Sequence, residues 1–407
     1  MGDASSVRGT GFAERTLVED ALDRLLEATT VSPAVDTVPL ADADGRVIAE
    51  SVTASRNVPD FPRAAMDGYA VRAEDTFGAA ERSPVVLETV EDDPAPGQAT
   101  WVHTGSPVAE AADAVVKVEY ARELDGEIEV TDAVAAGENV SEVGEDLSAG
   151  QKLYDPGHRL RPSDLALLRS VEVESVEVYE PPEVAVVPTG EELVASDPDP
   201  GEAIETNGIM VGSLAERWGA TTTRHDVVTD DPETLSAALD DARSADVVVT
   251  TGGSSIGERD YLPSVVEDDG ELLVHGVALK PGHPVALGAL GETPVLMLPG
   301  YPVACIVNAW QFLRPVVHRA AGTAPDEPAS VRARLGRKIR SEPGVRSCVR
   351  VNVEREDGEV VAEPVHESGA SILSSVALSD GWVQVPEPVE GRDAGETVTV
   401  EFWEAHP

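Results

Sequence analysis

Residues 246–250 read DVVVT, a β-branched run in which polar and apolar positions do not alternate. A strand built this way shows neither face to water, and such strands belong to parallel sheets covered by helices on both sides. The surrounding segments agree. Residues 184–187 form a second short apolar strand and 222–228 a third, while 208–218, entered through Asn207, has the pattern of a helix. Asp231, followed by Pro232 and Glu233, caps a further helix with Leu235, Ala238, Leu239 and Ala242 on its apolar face. A strand at 295–298 and a helix from Pro302 close the unit near Gly322. Strands and helices that alternate over this length predict a three-layer α/β/α domain.

The flanks read differently. Residues 16–29 predict an amphipathic helix with Leu17, Ala21, Leu22, Leu25 and Leu26 on one face and a capping box between Thr16 and Glu19. From 55 to 141, short apolar runs (VVLETV, AVVKVEY, EIEV) are cut by Pro, Gly and Asp, which predicts a small β-rich domain. Ser163 is the expected N-cap of a helix carrying Leu165, Leu167 and Leu168. Beyond Pro325, strands alternate with Gly and Pro turns, as in a small β-barrel. The predicted fold class is therefore multidomain α/β plus β. Its expected parts are a helical and linker domain from 14–56 and 143–180, a β-rich insertion at 57–142, the α/β domain at 181–324 and the barrel at 325–407.

Charge narrows the function. The 407 residues carry 75 acids against 30 basic residues, a net charge of −45, and only four of the basic residues are lysines (Lys117, Lys152, Lys280, Lys338). So acidic a surface repels phosphate backbones, which excludes generic nucleic-acid binding, and its even spread suits solvation at high salt. Cys305 and Cys348 stand far apart with no CxxC partner, which excludes a disulfide scaffold and a cysteine zinc site and suits a reducing cytoplasm. The N-terminal MGDASSVRG has no apolar stretch, so no signal peptide is expected; Gly2 and Ser6 fit a myristoylation pattern, a match too short to carry weight. The longest uncharged run, 293–313, is broken by Pro299, Gly300 and Pro302 and reads as strand, turn and helix rather than a membrane span.

Three segments can hold chemistry. In TTGGSSIGERDY a buried strand runs into Thr250, Thr251, Gly252, Gly253, Ser254 and Ser255, then Gly257 and Asp260. Glycines after a parallel strand let backbone N–H groups approach an anion; the other reading is a tight turn, and the spacing matches neither Walker A nor GxGxxG. In VALKPGHPVALG, Lys280 is either an anion partner or a lysine at the edge of a turn. VLMLPGYPVAC places Pro299, Gly300 and Pro302 in a rigid turn that starts a helix. Single acids say little where nearly one residue in five is Asp or Glu. Asp67, Asp146, Glu192 and Asp260 stand out because they sit in apolar or glycine-rich surroundings, and Asp230 because Asp231 takes the capping role beside it. A divalent metal would need such hard oxygen ligands. Residues 331–350 hold seven basic residues, Arg346 and Arg350 among them, which either attract an anion or pair with acids elsewhere in the fold. No HxxxH, HExxH or Ser/His/Asp arrangement is legible.

Together these segments resemble one family, the molybdopterin molybdenumtransferases of the MoeA type, which include the E domain of gephyrin. The matching motifs, in the family's order, are VPDFPRAAMDGYAV, HTGSPVAEAADAVVKVE, VGEDLSAGQ, VPTGEEL with Glu205-Thr206-Asn207, TTGGSSIGERDY, LKPGHPVALG and LPGYPVA, spanning about 16 to 403. The resemblance implies a central molybdopterin-binding-like domain and a homodimer with a cleft shared between subunits. It also implies Mg²⁺-assisted insertion of molybdate, or tungstate, into adenylated molybdopterin with release of AMP. By motif, the functional groups would be Asp67, Asp146, Glu192, Asp230, Asp260 and Lys280, with metal held by Glu192, Asp230 and Asp260. Thr104, Thr251, Gly252, Gly253, Ser254, Pro299, Gly300, Pro302, Arg346 and Arg350 would contact substrate. Other cofactor-biosynthesis proteins are further implied partners.

The sequence departs from the family pattern at Ala64, Ala111, Gly276, His283 and Tyr301, none of which removes a candidate acid. Two alternatives remain, a molybdopterin adenylyltransferase and a non-enzymatic, gephyrin-like dimeric scaffold.

Overall fold

The computed structural model describes residues 6–7, 15–29, 33–254, 261–365 and 371–403. The chain divides into two compact units, one of residues 36–178 and one joining 1–35 to 179–407. The helix α1, Val18–Ala28, belongs to the second: Val18, Ala21 and Leu25 are buried, and Leu22 and Leu26 pack against the same core. The expected capping box does not form. Leu17 occupies the N-cap without a side-chain bond, because the Thr16 backbone is committed to a β pairing; its N–H donates to Gly276 O (3.1 Å) and its carbonyl accepts from Ala278 (2.7 Å).

In the 36–178 unit, β1 (Gly68–Val71), β2 (Val85–Val90), β3 (Gln98–Val102), β4 (Ala114–Lys117), β5 (Ala121–Leu124) and β6 (Glu127–Val130) form one sheet in the order β5-β6-β2-β3-β1-β4. Neighbours are antiparallel except β2 and β3. Tyr69, Leu87, Ala99, Val116 and Ile128 fill one core, and Ala70, Val102 and Val115 another, the two-residue period expected of strands. Helix α2, Pro162–Ser170, starts from Arg161 and not from Ser163. Pro162 fits the first helical position, where no N–H is needed. Buried Asp164 then accepts from the backbone N–H of Arg161 (2.9 Å), from its guanidinium (3.0 and 3.1 Å) and from the Tyr154 hydroxyl (3.1 Å), with His158 Nε2 at 2.8 Å.

The other unit carries the α/β succession: β7 (Glu183–Pro188), α3 (Asn207–Arg217), β8 (Thr221–Arg224), α4 (Pro232–Ala242), β9 (Val247–Thr251), α5 (Leu262–Asp269), β10 (Glu271–His275), β11 (Ala286–Leu290), β12 (Thr293–Leu298), α6 (Pro302–Asn308) and α7 (Arg314–Ala320). The sheet order is β8-β7-β9-β12-β11-β10, the first four strands parallel and β11 running against them, antiparallel to both β12 and β10. Val184, Val186, Val247 and Val249 point to the face covered by α1, α3, α6 and α7; Ala185, Val187 and Val248 point to α4 and α5. The three-layer expectation is met, and both faces of DVVVT are covered. The uncharged run at 293–313 is strand, turn and helix; among the described residues no helix is long and apolar enough to cross a membrane.

The C-terminal region is a closed barrel of β13 (Ser330–Leu335), β14 (Arg346–Glu356), β15 (Glu359–Pro364), β16 (Gly381–Val385) and β17 (Thr397–Glu401), in the order β14-β15-β13-β17-β16 and back to β14. Closure leaves no unpaired sheet edge. Trp218, Trp310, Trp382 and Trp403 form a continuous aromatic row from the α/β layers into the barrel, with successive ring centroids 6.2, 5.5 and 4.7 Å apart.

Candidate active site

Because β7, β9 and β12 run parallel, their carboxyl ends meet at one edge of the sheet, where ligands bind in open α/β folds. Backbone bonds lace the loops there: Gly252 donates to Leu298 O (2.9 Å), Thr189 to Thr251 O (3.3 Å) and Gly190 to Val228 O (3.1 Å). Gly252 and Gly253 have φ of +127° and +61°, conformations that glycine adopts without cost. A Cβ on Gly252 would fall on the Thr189 carbonyl oxygen; one on Gly253 would lie 3.2 Å from Thr189 Oγ1 and 3.8 Å from Asp230 Oδ1. The glycine turn thus lies against the half-buried Asp230, and Gly300 approaches it from the third strand, its Cβ position 3.6 Å from Gly252 Cα. Pro299 is buried behind that approach, and Pro302 is the first residue of α6.

Four polar atoms at this edge, Thr189 Oγ1, Thr250 Oγ1, Thr251 Oγ1 and Asn207 Oδ1, are buried with no hydrogen-bond partner among the described residues. Each such atom costs about 1–3 kcal/mol, and buried polar groups are otherwise almost always satisfied. They lie at the carboxyl ends of β7 and β9 and at the start of α3. Asn207 Nδ2 meanwhile donates to Gly300 O (2.7 Å), fixing the Pro-Gly turn to the start of α3.

The neighbouring acids have different roles. Asp231 accepts from the Thr234 N–H (3.0 Å) and hydroxyl (2.9 Å), which lower its pKa and cap α4. Asp230 is left facing the glycine turn. Glu192 is exposed, its carboxylate 2.9 Å from the Cβ position on Gly190. Asp260, with Ser255 and Gly257, lies outside the described residues. Ser254 is buried, and its carbonyl oxygen lies 3.2 Å from His275 Nε2. Lys280 is exposed at the end of the two-residue strand Leu279–Lys280 that pairs with β14. The half-buried His283 has its pKa lowered, first by burial and then by the charges of Arg15 and Lys280. Sequence reasoning missed two residues here. Asn308, fully buried, donates to Gly282 O (3.0 Å) and Ala304 O (2.8 Å) and so ties the KPGHP loop to α6; a lone amide in the apolar VACIVNAW was the available signal. Thr189, inside VPTGEEL, lies beneath both glycines.

The 36–178 unit has its own pair. The Asp67 carboxylate accepts from the Thr104 N–H (2.6 Å) and hydroxyl (2.9 Å), and these bonds, helped by the charge of nearby His103, hold its pKa below the usual carboxylate value. Asp146 is exposed in a loop tied down by its N–H to Val58 O (3.0 Å).

The basic run mostly takes the pairing alternative. Arg334 meets Glu356 (3.3 Å) and Glu359 (3.0 Å), Arg337 meets Glu363 and Lys338 meets Asp393 (2.6 Å). Arg346 bonds Glu19 (3.0 Å) and Glu387 (3.1 Å), and Arg350 is buried in the barrel wall opposite Trp382. Among the described residues no three His, Cys, Asp or Glu side chains lie close enough to hold a metal ion. Glu192 and Asp230 offer hard oxygen donors on adjoining loops of the strand-end edge, the donor type that Mg²⁺ prefers.

Three family models cover the chain: the MoeA N-terminal region (domains I and II) matches residues 16–171, the "Probable molybdopterin binding domain" 185–319 and the MoeA C-terminal region (domain IV) 332–403. A molybdopterin biosynthesis protein of Methanocaldococcus jannaschii is 36% identical over 391 residues, 93% of this chain and 94% of the relative. The molybdopterin molybdenumtransferase of Bacillus subtilis is 32% identical over 380 residues, 89% of this chain and 88% of the relative. Among solved structures, a molybdopterin biosynthesis MoeA protein of Pyrococcus horikoshii superposes with a TM-score of 0.83 at 30% identity, covering 95% of this chain and all of the other.

Proposed function

The chain belongs to the MoeA family and to molybdenum cofactor biosynthesis, and from that premise we propose that it inserts molybdate into adenylated molybdopterin, releasing AMP. One observation carries the reading for this chain: the strand-end edge where two positive-φ glycines, the Asp230 carboxylate and four unsatisfied buried polar atoms converge. Both substrates are anions, and the hydroxyls of Thr189, Thr250 and Thr251 are O–H donors, which an oxyanion accepts without adding a formal charge. Thr251, Gly252, Gly253 and Ser254 hold the phosphates, while Pro299, Gly300 and Pro302 keep the adjoining turn rigid. Lys280 supplies the cation for molybdate or phosphate. Asp67, oriented by Thr104, and Asp146 belong to the 36–178 unit, and a part for them in the reaction is supported by the motifs that carry them.

Mg²⁺, held by Glu192, Asp230 and Asp260, would neutralise phosphate charge and polarise the bridging oxygen when bound. Arg346 and Arg350 then serve the barrel first and the substrate at most through their field. The parts at 181–324 and 325–407 are supported by the matched stretches 185–319 and 332–403, while 14–56 with 143–180 and the insertion at 57–142 fall within the one stretch 16–171, and helix 18–28 packs with the α/β unit. We further propose a homodimer sharing its cleft, working in the cytoplasm, where the buried thiols of Cys305 and Cys348 stay reduced. The test supplies adenylated molybdopterin with Mg²⁺ and follows AMP with and without molybdate. Release that needs molybdate supports the reading; ATP consumed with unadenylated molybdopterin would make the protein an adenylyltransferase, and no turnover at all would point to a scaffold.

A further inference from the structure

Arg15 has no counter-charge in a molecule rich in acids. Elsewhere Arg161, Arg334 and Arg346 each meet a carboxylate, whereas Arg15 enters no ion pair or side-chain hydrogen bond among the described residues. It is 7% exposed, and its Nε is buried without a partner. A charge in that position is costly unless it is paired and hydrogen-bonded. The backbone fixes where it lies. Thr16, its neighbour in the strand Arg15–Thr16, bonds both Gly276 and Ala278. The same segment closes the base of the KPGHP loop: the Gly276 N–H donates to Val285 O (2.9 Å) and the Val277 N–H to His283 O (2.9 Å). Arg15 therefore lies beside the loop that carries Lys280 and His283, and its charge reaches His283. Lys280 acts on that ring in the same sense, and the exposed Glu342 in the opposite one. Lys280 in turn stands opposite Ser347, whose Oγ lies 2.8 Å from Ser341 Oγ. All these groups belong to one compact unit.

We propose that Arg15 is a further binding residue for a tetrahedral dianion at the KPGHP loop, where it acts together with Lys280 and His283. The inference rests on the role given to Lys280 above, and it adds a residue that lies outside all seven motifs. With the loop empty, Arg15 and Lys280 both oppose a charge on His283, and the guanidinium has no counter-ion. A dianion relieves both conditions at once. A guanidinium keeps its charge when buried and offers its N–H donors as a planar fork, which matches two oxygens of a tetrahedral oxyanion. Chloride supplies half of that charge and no pair of oxygens, so the fork selects against the commonest anion in a salty medium. Molybdate and the phosphate of a nucleotide share the required chemistry.

The experiment titrates full-length protein with molybdate and, separately, with AMP, by calorimetry at constant KCl, in wild type, Arg15→Met and Arg15→Lys. Arg15→Met should weaken binding of one of the two anions about 10- to 150-fold, the loss expected for a hydrogen bond to a charged group. Weakening of molybdate alone makes the free oxyanion the guest, and weakening of AMP alone makes it the substrate's phosphate. Arg15→Lys, which keeps the charge and loses the fork, should fall between wild type and Arg15→Met. Melting curves give a second measure: the bound anion should raise the melting temperature of wild type more than that of Arg15→Met. Equal rises, or wild-type affinity of Arg15→Met for both anions, overturn the inference. If Arg15→Met fails to fold, Arg15→Lys carries the test, and unchanged affinity for both anions overturns it. Anion binding that depends on Arg15 in a protein that releases no AMP from adenylated molybdopterin would leave this site standing and remove the transferase reading. Molybdate-dependent AMP release with anion binding indifferent to Arg15 would do the reverse.

Discussion

At the scale of single residues, donors and backbone angles decide what each group can do. Asp67 is held ionised by the N–H and the hydroxyl of Thr104. Replacing Thr104 with Val removes one of these donors, so the Asp67 carboxyl should titrate at higher pH than in wild type. A carboxyl-carbon NMR titration reads this directly, and an unmoved midpoint would show that the hydroxyl bond contributes nothing.

The glycines differ from one another. Gly253→Ala imposes a left-handed turn on an L residue and should cost about 1–2 kcal/mol. Gly252→Ala should cost more, because its Cβ meets a backbone carbonyl that cannot rotate away. Urea midpoints that coincide for the two variants would refute that difference.

Asp164 shows the same logic in a buried setting. Burial alone would raise its pKa, yet donors from Arg161, His158 and Tyr154 outweigh burial and push it well below the usual range. A depressed pKa stabilises the fold fully above the unfolded value near pH 4 and loses that contribution as pH falls through the folded value. Asp164→Asn should therefore cost about 1.5–3 kcal/mol at neutral pH, and the gap to wild type should narrow in acid. A gap independent of pH would mean that the loss is one of packing.

At the scale of elements, the sequence-to-structure comparison turns on which interactions are local. The α4 cap at Asp231 and the two-sided burial of DVVVT were legible because each depends on a few adjacent residues. The α1 cap was misread because Thr16 pairs with Gly276 and Ala278, some 260 positions away in the chain. Pro162 displaced the expected Ser163 cap, a signal that was present and outweighed by the preference of Ser for the N-cap. The candidate acids came from motifs, which name residues without showing what they touch. Only the folded loops reveal Thr189 beneath the glycines and Asn308 across two motifs, because those contacts join segments far apart in sequence.

At the scale of the whole molecule, the net charge of −45 opposes compaction through self-repulsion. Salt screens that repulsion over a Debye length of about 3 Å at 1 M. The melting temperature should therefore rise with KCl up to molar levels; a fall on adding salt would sink the proposal that the protein is built for high salt. The central claim concerns the strand-end edge, and Asp230 and Asp231 test it from adjacent positions. The decisive measurement is molybdate-dependent AMP release by wild type, Asp230→Asn and Asp231→Asn at matched folding. Asn caps helices about as well as Asp, so Asp231→Asn should turn over like wild type while Asp230→Asn loses the activity. Full activity in Asp230→Asn would contradict the placement of the reaction at the glycine turn.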